Sequence, residues 1–333
     1  MSDRPRLAVT VGDPAGVGPE VVLKALADQE IVSLCQPLLV GDLRHLQRTT
    51  ADCGLELELA AVDPTDTPDD GVIPVIDLGN VPADIEIGGI SATAGEAAWQ
   101  AIERGVELCL GGSAEALVTA PINKVSLQLA GRGHEGHTEA LQALTDSPWS
   151  LTVFVLDQLR VVYFSRHLSL RAAIEAITAE RICTVLARFA EAAPSIGLHA
   201  PRIAVAALNP HAGEGGLFGT EEIDEITPGI EAARQRGINA VGPVPADAVF
   251  HLARSGRYDA VLGLYHDQVA AVMKTLDFHG TVSITLGLPF LRFSVDHGTA
   301  LDIAGKNLAD ATNMKNTFRV AARQLTMTKG ATR

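Results

Sequence analysis

Five short apolar runs recur along the chain, and each gives way to glycine or turn-forming residues before a helical pattern begins. Leu7–Val11 leads into Gly12, Pro37–Val40 into Gly41-Asp42, and Glu115–Thr119 into Ala120-Pro121-Ile122-Asn123-Lys124. Arg202–Leu208 leads into Asn209-Pro210-His211, and the run over 259–264 into Tyr265-His266-Asp267. Runs this short, without polar alternation, suit strands buried on both faces, and such strands need helical crossovers. The expectation is an α/β chain built on parallel sheet. Leu151–Leu156 and Leu159–Phe164 break the pattern, because only Asp157-Gln158 separates them. They read as an antiparallel hairpin, and hence as a second domain with a mixed sheet.

Helices fill the intervals. Pro19 sits in the first turn of one running to Leu26, and Thr93-Ala94-Gly95-Glu96 reads as a capping box opening a helix to about Leu110. Further helices are expected near 170–177, 179–194, 221–236 and 246–255, with a last one over Ala309–Leu325 before a fraying end. Residues 61–72, rich in Asp, Pro and Thr, read as a surface loop. At 333 residues, two domains are the natural expectation. A formal net charge of -14 argues against nucleic acid or an anionic membrane as partner. Cys35, Cys53, Cys109 and Cys183 form no close pair and read as reduced thiols. With no membrane-length apolar run and no secretory signal pattern, a cytoplasmic protein is expected.

Three histidines stand just beyond apolar runs: His167 after Val161–Phe164, His211 after Ile203–Leu208, and His266 after Val261–Tyr265. Open parallel sheets bind ligands at the carboxyl ends of their strands. Three neutral imidazoles converging there would hold a metal ion with positions open to water or substrate. A loop histidine taken singly is as well explained by a bond to backbone. Lys274 and Arg292 flank the strand Val282–Leu286 and are candidates for a phosphate or carboxylate clamp, or else solvated surface cations. His137-Thr138 lies at an apparent helix N-terminus, a place for an anion or merely a cap. Gly12–Glu20 matches neither a dinucleotide fingerprint nor a P-loop. Asp247 and Lys124 are possible proton-transfer groups, although Asp247 could equally cap a helix.

The stretches GDPAGVGPE, APINK, GHTEAL, NPHAGEGG, PADAVF, YHDQ, TLGLPFLR and VDHGTALDIAG follow the order and approximate spacing of one family. The chain resembles the 4-hydroxythreonine-4-phosphate dehydrogenases. That resemblance implies an isocitrate/isopropylmalate dehydrogenase-like fold: two α/β/α domains with a cleft between them, in a homodimer whose active sites lie at the subunit interface. It implies one divalent ion per subunit (zinc, magnesium or cobalt) on His167, His211 and His266. Substrate contacts fall on His137, Thr138, Lys274, Ser283 and Arg292. The cofactor loop falls on His297, Gly298, Ala300 and Asp302, where the Asp302 carboxylate would favour NAD over NADP by accepting from a ribose hydroxyl.

The implied reaction is oxidation of 4-phosphohydroxy-L-threonine at C3, then decarboxylation to 3-amino-2-oxopropyl phosphate, in pyridoxal phosphate (vitamin B6) biosynthesis. Asp247 is the candidate proton acceptor. Relatives within the resemblance oxidise 4-phospho-D-threonate, 4-phospho-D-erythronate or aromatic cis-dihydrodiols, and phosphate acyltransferases share the fold. Ser283 stands where such proteins usually carry Asn, and Phe293 where Thr is usual. The expected domains are 1–130 with about 300–333, carrying the cofactor loop, and about 131–299, carrying metal and substrate residues.

Overall fold

A computed structural model of the chain describes residues 4–66, 69–134 and 136–331. Among them twelve strands follow in order: β1 (Arg6–Thr10), β2 (Gln36–Gly41), β3 (Glu58–Ala61), β4 (Val72–Asp77), β5 (Ala116–Thr119), β6 (Leu151–Leu156), β7 (Leu159–Tyr163), β8 (Ile203–Ala206), β9 (Ala240–Val244), β10 (Ala260–Gly263), β11 (Val282–Leu286) and β12 (Leu291–Ser294). The chain is α/β, and it divides into two compact units, 1–150 with 287–333 and 151–286.

The first unit orders its strands β3-β4-β2-β1-β5-β12, every pair parallel. The helix Ala92–Leu110 crosses one face, burying Ala101, Ile102 and Val106 against Ala8, Leu38, Val40 and Leu117. The C-terminal helix Thr312–Ala331 packs on β5, β12 and the helix Gly18–Leu26. The second unit orders its strands β11-β6-β7-β10-β8-β9. β6 pairs antiparallel with β7 and β11, and the remaining pairs are parallel, so the expected hairpin and mixed sheet are present. Val249, Phe250 and Ala253 of one helix, with Val269 and Met273 of another, close its core over Val161, Ala204 and Val261.

Several local expectations are corrected. Ser91, not Thr93, caps the long helix, accepting from the Ala94 amide at 3.1 Å; Glu96 instead pairs with Arg132 at 2.8 Å. β3 and β4 flank the 61–72 stretch, whose residues 67–68 lie outside the described residues. β9 runs through Pro243 in what reads as a loop; as an end strand it can spare an amide donor. The last helix begins at Thr312, where the Asp310 carboxylate accepts the Thr312 amide at 2.8 Å, and it continues to Ala331 rather than fraying at 326. The unit boundaries fall at 150/151 and 286/287, whereas the sequence placed them at 130/131 and about 299/300. The helix His137–Leu144 packs on Ala92–Leu110, and β12 pairs with β5, so both flanks belong to the first unit. His137, Thr138 and Arg292 therefore belong to the first unit, and the three histidines to the second. All four cysteines are free, and burial pushes the Cys35 and Cys109 thiols up to about 12. Among the described residues no helix is long and apolar enough to cross a membrane.

A Cβ on Gly95 would collide with the backbone carbonyl of Ser126, so this glycine lets Ala92–Leu110 and Lys124–Leu129 touch. Gly95→Ala should lower the chemical-denaturation midpoint by the equivalent of about 1–3 kcal/mol, the usual range for overpacking. An unchanged midpoint would show that the two helices can separate without cost.

Candidate active site

Two of the three histidines come together in the second unit. His167 follows β7 and His266 opens the helix His266–Leu276 after β10, and their rings lie 6.1 Å apart at 38°. The strand ends that carry them are cross-braced. The Ser165 hydroxyl donates to the Leu264 carbonyl at 2.8 Å, and the Phe164 amide to the Gly263 carbonyl at 2.8 Å. Buried Gln268 accepts the Leu264 amide and donates to the Ala207 carbonyl, both at 2.8 Å, tying β10 to the end of β8. The Asp267 carboxylate lies 2.7 Å from His266 Nδ1. A carboxylate on one ring nitrogen orients the imidazole and leaves Nε2 for a metal ion.

His211 sits in an unusual backbone. His211, Ala212, Gly213, Glu214 and Gly215 all take left-handed dihedrals, with φ from 45° to 79°. For the three residues with a Cβ this costs roughly 1–2 kcal/mol each. Behind the turn, the almost fully buried Glu222 carboxylate accepts the amides of Leu208 at 2.8 Å and Asn209 at 2.7 Å, and the Asn209 side-chain amide at 2.9 Å. The imidazole points outward, 67% exposed, with Nδ1 3.3 Å from the Glu214 carboxylate. This donor set suits a divalent ion: two of the three imidazoles have a carboxylate at Nδ1. Within one chain, however, no group of three His, Cys, Asp or Glu among the described residues is placed to hold a metal.

The first unit carries Arg292, His137 and Thr138. Arg292 on β12 is buried, and its Nε and Nη2 both donate to the Thr119 hydroxyl on β5, at 3.0 and 2.8 Å. His137 and Thr138 are the first two residues of a helix whose cap is Gly136, so the alternative of a Thr138 cap is not realised. His137 Nε2 is shielded from solvent and lacks a hydrogen-bond partner. Burial, and secondarily the Arg292 guanidinium, hold the ring well below the ordinary 6.5, so it is neutral. In the second unit Lys274 reaches over the Phe278 ring, 5.4 Å from its centre, and Ser283 is buried on β11 opposite Phe154.

The loop after β12 is held by its neighbours. The Asp296 amide donates to Asn313 at 2.9 Å, and the Val17 amide to the Thr299 carbonyl at 2.9 Å. A Cβ on Gly16 would sit 2.8 Å from the Thr299 Cβ, and one on Gly12, at φ +77°, would strike the Pro121 carbonyl. The glycine stretch thus supports two loops by close approach. Ala300 is left-handed at φ 41°, Gly298 has open space where a Cβ would be, and Asp302 is exposed. His297 Nε2 is buried without a partner, which together with the open backbone at Gly298 fits a nucleotide cofactor. Asp247 is exposed in the first turn of the helix Ala246–Arg254 and does not cap it. Sequence reasoning missed Thr119, Ser165, Gln268 and Glu222, whose types gave no sign of the tertiary bonds they make.

Strand-end imidazoles, a buried guanidinium and an open backbone loop stand on an α/β framework, and the relatives of this chain make it a dehydrogenase, an oxidoreductase acting on a CH–OH group. A family model described as "Pyridoxal phosphate biosynthetic protein PdxA" matches residues 33–321, and the chain belongs to that family. The chain is 46% identical, over 97% of its length and 98% of the relative's, to a Halalkalibacterium halodurans protein named "Putative D-threonate 4-phosphate dehydrogenase". A protein of the same name from Symbiobacterium thermophilum is 46% identical, covering 97% of each chain. The structure of 4-hydroxythreonine-4-phosphate dehydrogenase from Klebsiella pneumoniae superposes with a TM-score of 0.90 at 40% identity, covering 96% of this chain and 99% of that one.

Nitrogen-15 NMR of the imidazoles should show His137 neutral at pH 6.5, where an ordinary histidine is half protonated. Arg292→Gln should raise its pKa yet leave it below 6.5, because burial is the larger cause. A parent His137 that titrates normally would contradict this account.

Proposed function

We propose that the protein oxidises the C3 hydroxyl of a four-carbon, 4-phosphorylated hydroxy acid with NAD and a divalent metal ion, and that decarboxylation follows. The observation that carries this reading is the His167–His266 pair at neighbouring strand ends, in a chain of this family. His167, His211 and His266 would hold the ion, and the loop from His297 to Asp302 the nucleotide. When bound, the metal supplies positive charge against the reacting oxygen, and NAD a hydride acceptor.

The chain's own groups do the rest. Arg292, fixed by Thr119, offers a permanent cation to phosphate or carboxylate. His137, being neutral, contributes a hydrogen bond rather than charge, and Thr138 a hydroxyl at the same helix end. Lys274 adds a second cation, and Asp302 would accept from the ribose 2′-hydroxyl and repel a 2′-phosphate. Asp247 remains the candidate proton acceptor. The oxidised acid carries its carboxylate beta to the new ketone, which is why carbon dioxide can leave.

Two 4-phosphates compete as substrate, differing at C2 by amine against hydroxyl. D-threonate 4-phosphate is favoured over 4-phosphohydroxy-L-threonine by the names of the 46%-identical relatives. The working form is taken to be a homodimer whose copies share a metal site, in keeping with His167 and His266 coming together while no group of three His, Cys, Asp or Glu among the described residues is placed to hold a metal. His211 is followed by the exposed apolar residues Leu217, Phe218 and Ile223, which a second copy would cover.

With NAD and a divalent ion, NADH should form faster from D-threonate 4-phosphate than from 4-phosphohydroxy-L-threonine, D-erythronate 4-phosphate or a cis-dihydrodiol, and poorly with NADP. His211→Ala and His266→Ala should each be nearly inactive. Mixed after subunit exchange they should regain activity, since one shared site per mixed dimer is then intact. Oxidation of the dihydrodiol alone would refute the phosphate reading, and failure of the mixture to recover would refute the shared site.

A further inference from the structure

We propose that Glu222 is a positioning residue: its buried carboxylate locks the left-handed turn 211–215 and so fixes the direction in which His211 presents its imidazole to a divalent metal. The inference rests on the reading of His211 as a ligand. Glu222 belongs to a short wide-turn helical segment, Glu222–Ile226, and its side chain points away from solvent toward the chain just before the turn. Oε1 takes the amides of Leu208 and Asn209, which lead out of β8, at 2.8 and 2.7 Å. Oε2 takes the Asn209 side-chain amide at 2.9 Å, and that same amide reaches Glu221 at 2.6 Å. The entry to the turn is therefore clamped on one side.

The turn itself lies against the carboxylate. A Cβ on Gly213 would come 2.9 Å from Glu222 Oε2 and 3.1 Å from the Gly219 carbonyl, so a side chain there cannot fit. Five successive left-handed residues, three bearing a Cβ, form a conformation that local sequence alone does not favour. A connection needed only to join β8 to the next helix has no need of it. The conformation turns the His211 ring outward while the backbone behind it is held. A glutamine at 222 would keep the shape but turn a donor toward the Asn209 amide, so one contact of the clamp becomes repulsive.

The test is titration of the metal-free, full-length protein with Co2+, following the visible band whose position reports coordination geometry. Circular dichroism and the thermal midpoint without metal are recorded beside it. Glu222→Gln should fold and bind Co2+ roughly 10- to 100-fold more weakly, the usual effect of disturbing a group behind a ligand, with a shifted band. Gly213→Ala keeps the Glu222 carboxylate but sets a Cβ against its Oε2 and against the Gly219 carbonyl, so the turn must shift while both backbone amides keep their acceptor, and it should weaken Co2+ binding in the same range. Parental affinity and band in both variants would overturn the proposal. Should Glu222→Gln fail to fold, Gly213→Ala decides alone. Parental Co2+ binding in His211→Ala would instead remove the ligand reading on which the proposal stands.

Discussion

The side-chain amide of Gln268 holds together what the rest of the second unit presents. β10 and β8 pair in parallel, but that pairing ends at Leu262 and Val205, before the chemistry-bearing residues begin. Gln268 continues the connection past the ladder, taking the Leu264 amide and giving to the Ala207 carbonyl. An amide side chain can do both at once, and because the residue is buried the bonds are not diluted by water. Ser165 extends the tie to β7. The residues that follow these braced ends are His167, Asn209 to His211, and His266.

Electrostatics in the first unit follow a related economy of means. A chain of net charge -14 cannot attract an anion by its overall field, so the attraction must be local. In the proposed reading Arg292 would supply it from within the protein, where a guanidinium stays charged and the Thr119 hydroxyl fixes its plane. The same cation reinforces the neutrality that burial imposes on His137. One charged and one neutral donor side by side can grip an anion without assembling two buried positive charges, whose desolvation would be costly.

Glycines serve this arrangement by allowing backbone to approach backbone. Gly12 lies against Pro121 and Gly16 against Thr299, so the loops after β1, β5 and β12 lean on one another. A glycine-rich stretch before a helix suggests phosphate binding, yet here its evident work is packing. The left-handed turn at His211 shows the opposite case, in which residues with side chains take a glycine-like conformation just after a segment whose amides a buried carboxylate accepts.

The sequence by itself determined the α/β class, the hairpin at Asp157-Gln158, the strand-end placement of His167, His211 and His266, and the family, because short apolar runs and local motifs are properties of neighbouring residues. It was weakest at the outer strands: β3 is short and half-exposed, and β9 contains a proline, so neither carries a strong local signal. It misjudged which unit takes residues 131–150 and 287–299, since that is settled by a helix packing on Ala92–Leu110 and by β12 joining β5. Only the tertiary structure could bring Thr119 to Arg292, 173 positions away, or Gln268 to Ala207, 61 positions away. Hydrogen bonds between distant segments leave no periodicity in the chain, and so the candidate residues could be named from the sequence while the groups that hold them in place could not.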